Sequence, residues 1–179
     1  MCTERRLDKG NAATQTPQTL TARPIDRDAF APHGWLIEAA GGAALQVNSG
    51  TSQRFDDITE LAFDAESGVP CLAIFRAQRR EIGGPWQEME RHRLGTQTFI
   101  PLGDVRYVVL VAGRGECPEP SELAAFLVNG RQGITLRPGT WHHALLALDA
   151  GDFVVLERRA PQVDCDVALL PRAVGIAPG

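Results

Sequence analysis

Two short segments gather the residue types that bind ions or move protons. The first reads Glu88-Met89-Glu90-Arg91-His92. In an extended chain residues two apart share a face, so Glu88, Glu90 and His92 point one way and Met89 and Arg91 the other. A carboxylate and an imidazole at that spacing converge on one ion or one substrate atom. The same residues also read as a solvated outer strand face, where charged side chains are ordinarily found. The second segment is Arg137-Pro138-Gly139-Thr140-Trp141-His142-His143. Pro-Gly makes a tight turn. The strand after it presents His142 and His143 to opposite faces, so only one of them can face an interior; His143 reads best as a histidine bonded to backbone.

Those residues need a scaffold, and the pattern around them is one of short strands. Candidate strands are 44–48, 71–78, 86–92, 98–102, 107–112, 126–129, 134–137, 143–148 and 152–158. Turn signals separate them, among them Ile82-Gly83-Gly84-Pro85, Gly103-Asp104, Asn129-Gly130 and Asp149-Ala150-Gly151. Asp26 is a candidate N-cap for one helical turn that Pro32 ends. Ser121 is a candidate cap for a brief helix over 121–125. No βαβ alternation or long helical period is present, so the fold class expected is all-β, a sandwich or barrel. Residues 1–19 are polar and without period, and are expected to be a disordered tail. Residues 20–179 are expected to form a single β-barrel domain.

Composition excludes several alternatives. With 179 residues and 44% hydrophobic content the chain can bury one ordinary core. A net charge of −4, with no clustered basic stripe, argues against nucleic acid as a partner. The four cysteines, Cys2, Cys71, Cys117 and Cys165, form no CxxC pair, which fits a reducing cytoplasm better than a structural zinc site. The first residues lack the apolar stretch of a secretory signal. No apolar run approaches the roughly 20 residues of a membrane helix, so no membrane partner is expected.

Taken together the two segments resemble the two cupin motifs. Glu90 stands where the first motif has its first His, His92 is the second His, Gln97 takes the Glu position and Gly103 closes the motif. In the second, the Pro138-Gly139 turn precedes His142. The resemblance implies a cupin-like double-stranded β-helix (jelly-roll) barrel with a few short helices. It also implies a metal set of His92, His142, Glu90 and Gln97, whose donors suit a divalent ion, nickel or similar. No organic cofactor is implied.

A narrower resemblance is to the ureidoglycolate lyase family. It rests on Ala29-Phe30-Ala31-Pro32-His33-Gly34, Phe75-Arg76-Ala77-Gln78, the run from Met89 to Leu102, Phe126-Leu127-Val128-Asn129-Gly130-Arg131-Gln132-Gly133, Thr140-Trp141-His142-His143, Asp152-Phe153 and Cys165-Asp166. It covers roughly Leu20 to Asp166 in the right order. What it implies is a cytoplasmic homodimer acting in allantoin and purine catabolism, splitting ureidoglycolate into glyoxylate and urea. Glu90, His92 and His142 would be catalytic. Arg76, Arg137 and Gln97 would bind substrate, an Arg being suited to a carboxylate; Arg76 reads equally as a rim salt-bridge partner. The chain departs from that family's pattern at Arg137, where a His is common, at Trp35, where an Asp is common, and at Ala144, where a Pro is common. The alternatives are another small-carboxylate cupin enzyme or a non-catalytic cupin that binds a small molecule. Release of urea on turnover separates the lyase from both.

Overall fold

The computed structural model describes residues 18–39 and 44–179. The elements, in chain order, are β1 (Gln18–Pro24), a single-turn helix α1 (Arg27–Phe30), β2 (Gly34–Ile37), β3 (Leu45–Val47), β4 (Ser52–Arg54), β5 (Val69–Ala77), β6 (Trp86–Arg91), β7 (Gln97–Pro101), β8 (Tyr107–Val111), β9 (Ala124–Val128), β10 (Gly133–Leu136), β11 (Leu146–Ala147), β12 (Gly151–Arg159) and β13 (Asp166–Pro178). The expected polar tail falls outside the described residues as far as residue 17, and Gln18 and Thr19 already belong to β1.

The architecture is all-β and cupin-like. One sheet has the order β11-β8-β9-β1-β13-β6, the other β2-β10-β7-β12-β5, and β3 pairs with β4 as a separate hairpin. In the first sheet β1 runs parallel to both of its neighbours, β9 and β13. That sheet also curls until its edges meet. His142 bridges Glu90 of β6 on one side and Val111 of β8 on the other, so the segment leading into β11 closes the sheet.

Alternation along β8 explains why two apolar cores form. Tyr107, Val109 and Val111 face the second sheet and pack with Phe30, Leu36, Phe99, Phe126, Ile134, Leu136, Phe153 and Val155. Val108 and Leu110 face the other way, into the curl, with Trp86, Met89, Trp141, Leu146, Leu170 and Val174. A strand buried on both faces must be apolar throughout, and Tyr107-Val108-Val109-Leu110-Val111 is.

Local signals held in part. Asp26 caps α1, its carboxylate accepting from the Ala29 N–H at 2.9 Å. The helix expected over 121–125 is instead a 3-10 turn at Pro120–Glu122 without a side-chain cap. Leu123 is extended, and Ala124 and Ala125 already pair with Val111 and Leu110. Strand pairing there overrides the helical preference of Glu-Leu-Ala-Ala. The strand expected over 143–148 is interrupted and keeps regular pairing only at Leu146–Ala147.

Candidate active site

Glu90 and His142 exchange both backbone hydrogen bonds, at 2.7 and 2.8 Å. Directly paired residues project to the same face. Val111 is paired with His142 too and belongs to the core between the sheets, so Glu90 and His142 face that space. His92 lies two residues beyond Glu90. One ligand atom from each of Glu90, His92 and His142 falls within 4.8 Å of the others. The imidazole centroids are 5.5 Å apart, and His142 Nε2 lies 3.5 Å from Glu90 Oε1. His142 is 3% exposed.

The backbone sets the tautomers. His142 Nδ1 meets the Thr140 carbonyl at 2.9 Å, and His92 Nδ1 meets the Asp164 carbonyl. A carbonyl only accepts, so each Nδ1 carries a hydrogen, and in the neutral ring each Nε2 is left with a lone pair. Both Nε2 atoms are buried without a hydrogen-bond partner. When no ion lies between them, a protonated His142 ring donates toward Glu90 across the 3.5 Å gap and holds the Glu90 carboxyl below its ordinary range, against burial that pushes it up. Glu90 is therefore a carboxylate at neutral pH. With both rings neutral, two imidazole lone pairs and a carboxylate oxygen face one another, an arrangement that could hold a cation among them. Two neutral imidazoles and a carboxylate fit a borderline divalent ion.

Surrounding residues fix this spacing. Asp164 grips His92 from both ends: its carbonyl takes the ring N–H, and its carboxylate accepts the backbone N–H groups of Arg93 and Leu94 at 2.9 and 2.7 Å. Arg91, on the opposite face of β6 from Glu90, is buried over the Trp141 ring at 4.4 Å. It donates to Asp166 and to the Gly115 carbonyl, which also accepts from Trp141 Nε1. The neighbours of Glu90 and His142 are thus locked together behind the site. Gly139 has φ +83°, a left-handed conformation that favours glycine, and its N–H donates to the His92 carbonyl. The Pro-Gly turn thereby ties the two motif segments directly. His143 points away, edge-on to Trp86 at 4.9 Å, with Nδ1 on the Ala144 carbonyl, and burial lowers its pKa.

The other sequence candidates lie elsewhere. Gln97, at the start of β7, shares a face with Phe99 and so looks into the same inter-sheet space from the opposite sheet. Its Nε2 donates to Glu157 Oε2 at 2.9 Å, and its Oε1 is buried without a partner. Arg76 is not brought to the cluster. It pairs with Asp152 across the outer face of β5 and β12 in a two-pronged contact at 2.9 and 3.0 Å, with its side chain 83% exposed. Arg137 stacks over the Trp35 ring at 3.7 Å and donates to the Ala31 carbonyl. The two departures noted in the sequence, Arg137 and Trp35, therefore touch. Sequence reading overlooked Glu157, Asp164 and Arg91. For Glu157 a signal existed: alternation from Phe153 through Val155 ends on it. For Asp164, on an irregular segment, there was none.

An all-β fold of two facing sheets is cupin-like, and the His, His and carboxylate that converge in the space between them are its candidate site. The ureidoglycolate lyase family model matches residues 17–177. The ureidoglycolate lyase of Burkholderia cepacia is 44% identical over 149 residues, 82% of this chain and 84% of that protein. The ureidoglycolate lyases of Pseudomonas aeruginosa strain UCBPP-PA14 and of Azotobacter vinelandii are 36% and 35% identical, covering 83% and 82% of this chain and 89% of each relative. The chain belongs to the ureidoglycolate lyase family.

Proposed function

We propose that the protein is a ureidoglycolate lyase that cleaves ureidoglycolate to glyoxylate and urea, as a step of allantoin and purine catabolism in the cytoplasm. One observation carries the mechanism: the buried lone pairs of His92 and His142 face the Glu90 carboxylate. His92, His142 and one oxygen of Glu90 would hold a divalent ion, nickel or similar. When bound, the ion supplies Lewis-acid chemistry, lowering the pKa of the substrate hydroxyl. Glu90, ionised at neutral pH, takes the hydroxyl proton on its other carboxylate oxygen and delivers it to the leaving urea nitrogen. The O–H electron pair forms the aldehyde carbonyl of glyoxylate as the C–N bond breaks, and the proton ends on urea. Asp164 and Thr140 keep both histidines in the required tautomer throughout. Arg76, on the outer face, has no part in this scheme, and Arg137 acts through the loop it braces against Trp35.

The homodimer reading has physical support in the second sheet. The outer face of β5, β12 and β7 carries a cross-strand row, Ile74, Val154 and Ile100, beside Leu72 and Leu156. Leu72 is 71% and Ile74 55% exposed. Such a face, on a sheet edged by the long strand β5, is stabilised when a second copy covers it. Among the described residues no helix is long and apolar enough to cross a membrane.

The deciding experiment is a coupled assay for glyoxylate release from ureidoglycolate by the purified protein, with metal analysis and sedimentation of the same sample. Turnover with about one divalent ion per chain is expected. Absence of turnover in nickel-, manganese- and zinc-loaded protein would refute the lyase reading.

A further inference from the structure

We propose that Gln97 and Glu157 form the subsite that recognises the ureido N–H groups, and so set which end of the substrate enters where. This rests on the lyase reading above and concerns a part of the molecule that the Glu90, His92 and His142 cluster does not address.

Placement comes first. The connector 92–96 joins the end of β6 to the start of β7, so His92 and Gln97 lie at the same end of the two sheets. Glu157 is Gln97's paired neighbour on β12. It shares a face with Val155 and Phe153, both in the inter-sheet core. The cluster and the Gln97–Glu157 pair therefore line one polar end of an otherwise apolar space, one on each sheet.

The chemistry of the pair is directional. Glu157, as a carboxylate, accepts only, so the Gln97 amide must turn its nitrogen toward it, as the 2.9 Å contact shows. That fixes the amide oxygen away from Glu157, buried and without a partner. A buried acceptor left unpaired is destabilising, which favours a ligand that brings a donor. The pair thus offers acceptors side by side: Gln97 Oε1 and the carboxylate of Glu157. Urea presents parallel N–H bonds, one from each nitrogen, and matches such a pair. The glyoxylate half has only its hydroxyl as donor, and that hydrogen is already claimed by Glu90. Its carboxylate is repelled by Glu157. The subsite therefore binds the ureido end and turns the acid end toward the histidines.

The test measures binding of the separate products, urea and glyoxylate, to metal-loaded protein by NMR titration, without relying on turnover. Glu157→Gln keeps the volume and the bond to Gln97 but replaces an acceptor with a donor. Gln97→Met removes the amide at similar size. Each should weaken urea binding by about tenfold or more, with metal content unchanged and glyoxylate affinity no weaker than in wild type. A parallel loss of glyoxylate affinity or of metal would overturn the proposal and make Gln97 a ligand of the ion. Unchanged urea affinity in both folded variants would overturn it too. Failure of the lyase reading itself would show separately, as wild-type protein that binds urea but releases no glyoxylate from ureidoglycolate.

Discussion

Asp164 tests whether the site is held from behind. Its carboxylate accepts from two backbone N–H groups, at Arg93 and Leu94, and its carbonyl takes the His92 ring hydrogen. Asp164→Ala keeps the carbonyl and deletes both carboxylate bonds. A hydrogen bond to a charged group contributes about 1.5–3 kcal/mol. The Arg93 bond is exposed and the Leu94 bond half-buried, so values near the lower end apply and the total loss should be about 2–3 kcal/mol. The segment then no longer fixes its carbonyl against His92. Loss of such a support around a metal-binding imidazole typically lowers affinity or activity about 10–100-fold. Urea denaturation gives the first quantity, and nickel titration with glyoxylate release gives the second. Asp164→Asn retains one acceptor oxygen and should fall between wild type and Asp164→Ala in both. Wild-type denaturation together with wild-type nickel affinity in Asp164→Ala would refute the reasoning, because the clamp would then be dispensable.

Two further outcomes follow from the geometry. His92→Ala and His142→Ala should each lower kcat/KM by about 100-fold or more, a loss of about 3 kcal/mol in transition-state stabilisation, while His143→Ala, on the opposite face against Trp86, should cost markedly less; rates of glyoxylate release from the three folded proteins check this. Arg137→Ala and Trp35→Ala should be non-additive in stability, with a coupling of about 0.5–2 kcal/mol from the stacked guanidinium; a double-mutant cycle by denaturation measures it, and strict additivity would count against the contact.

Legibility differed by element for physical reasons. Strand β8 could be read because five consecutive apolar residues bounded by turns have few alternatives. Strand β13 was not anticipated: Pro171 and Gly175 break its pattern, and its pairing register shifts between Leu169 and Val174. β1 escaped because Gln18-Thr19-Leu20-Thr21-Ala22-Arg23-Pro24 has only a weak apolar alternation and ends in Pro. β2 has only four residues. At the candidate site, alternation puts Glu90 and His92 on one face and a turn precedes His142, and the resemblance to the cupin motifs, not the alternation, nominated them. Arg76 could not be placed, since sequence alone does not say which face of β5 is inward. That is decided by Phe75 meeting Phe153 and Phe99. The inward direction of Glu157 could be had from alternation along β12, but its place beside Gln97 needed the pairing of β7 with β12, a long-range fact.

The parallel placement of β1 between β9 and β13 has a consequence for assembly. As the chain leaves the ribosome, β1 emerges before either of its neighbours and must wait for both. β6, which carries Glu90, likewise depends on β13 for its extended partner. The wall bearing Glu90 and His142 can therefore close only when the segment from Asp166 onward has been synthesised. Nascent chains lacking it would carry every chemical group of the cluster in sequence but none of its geometry. Such non-local pairing makes folding comparatively slow, and it delays the site until β13 is available to pair with β6.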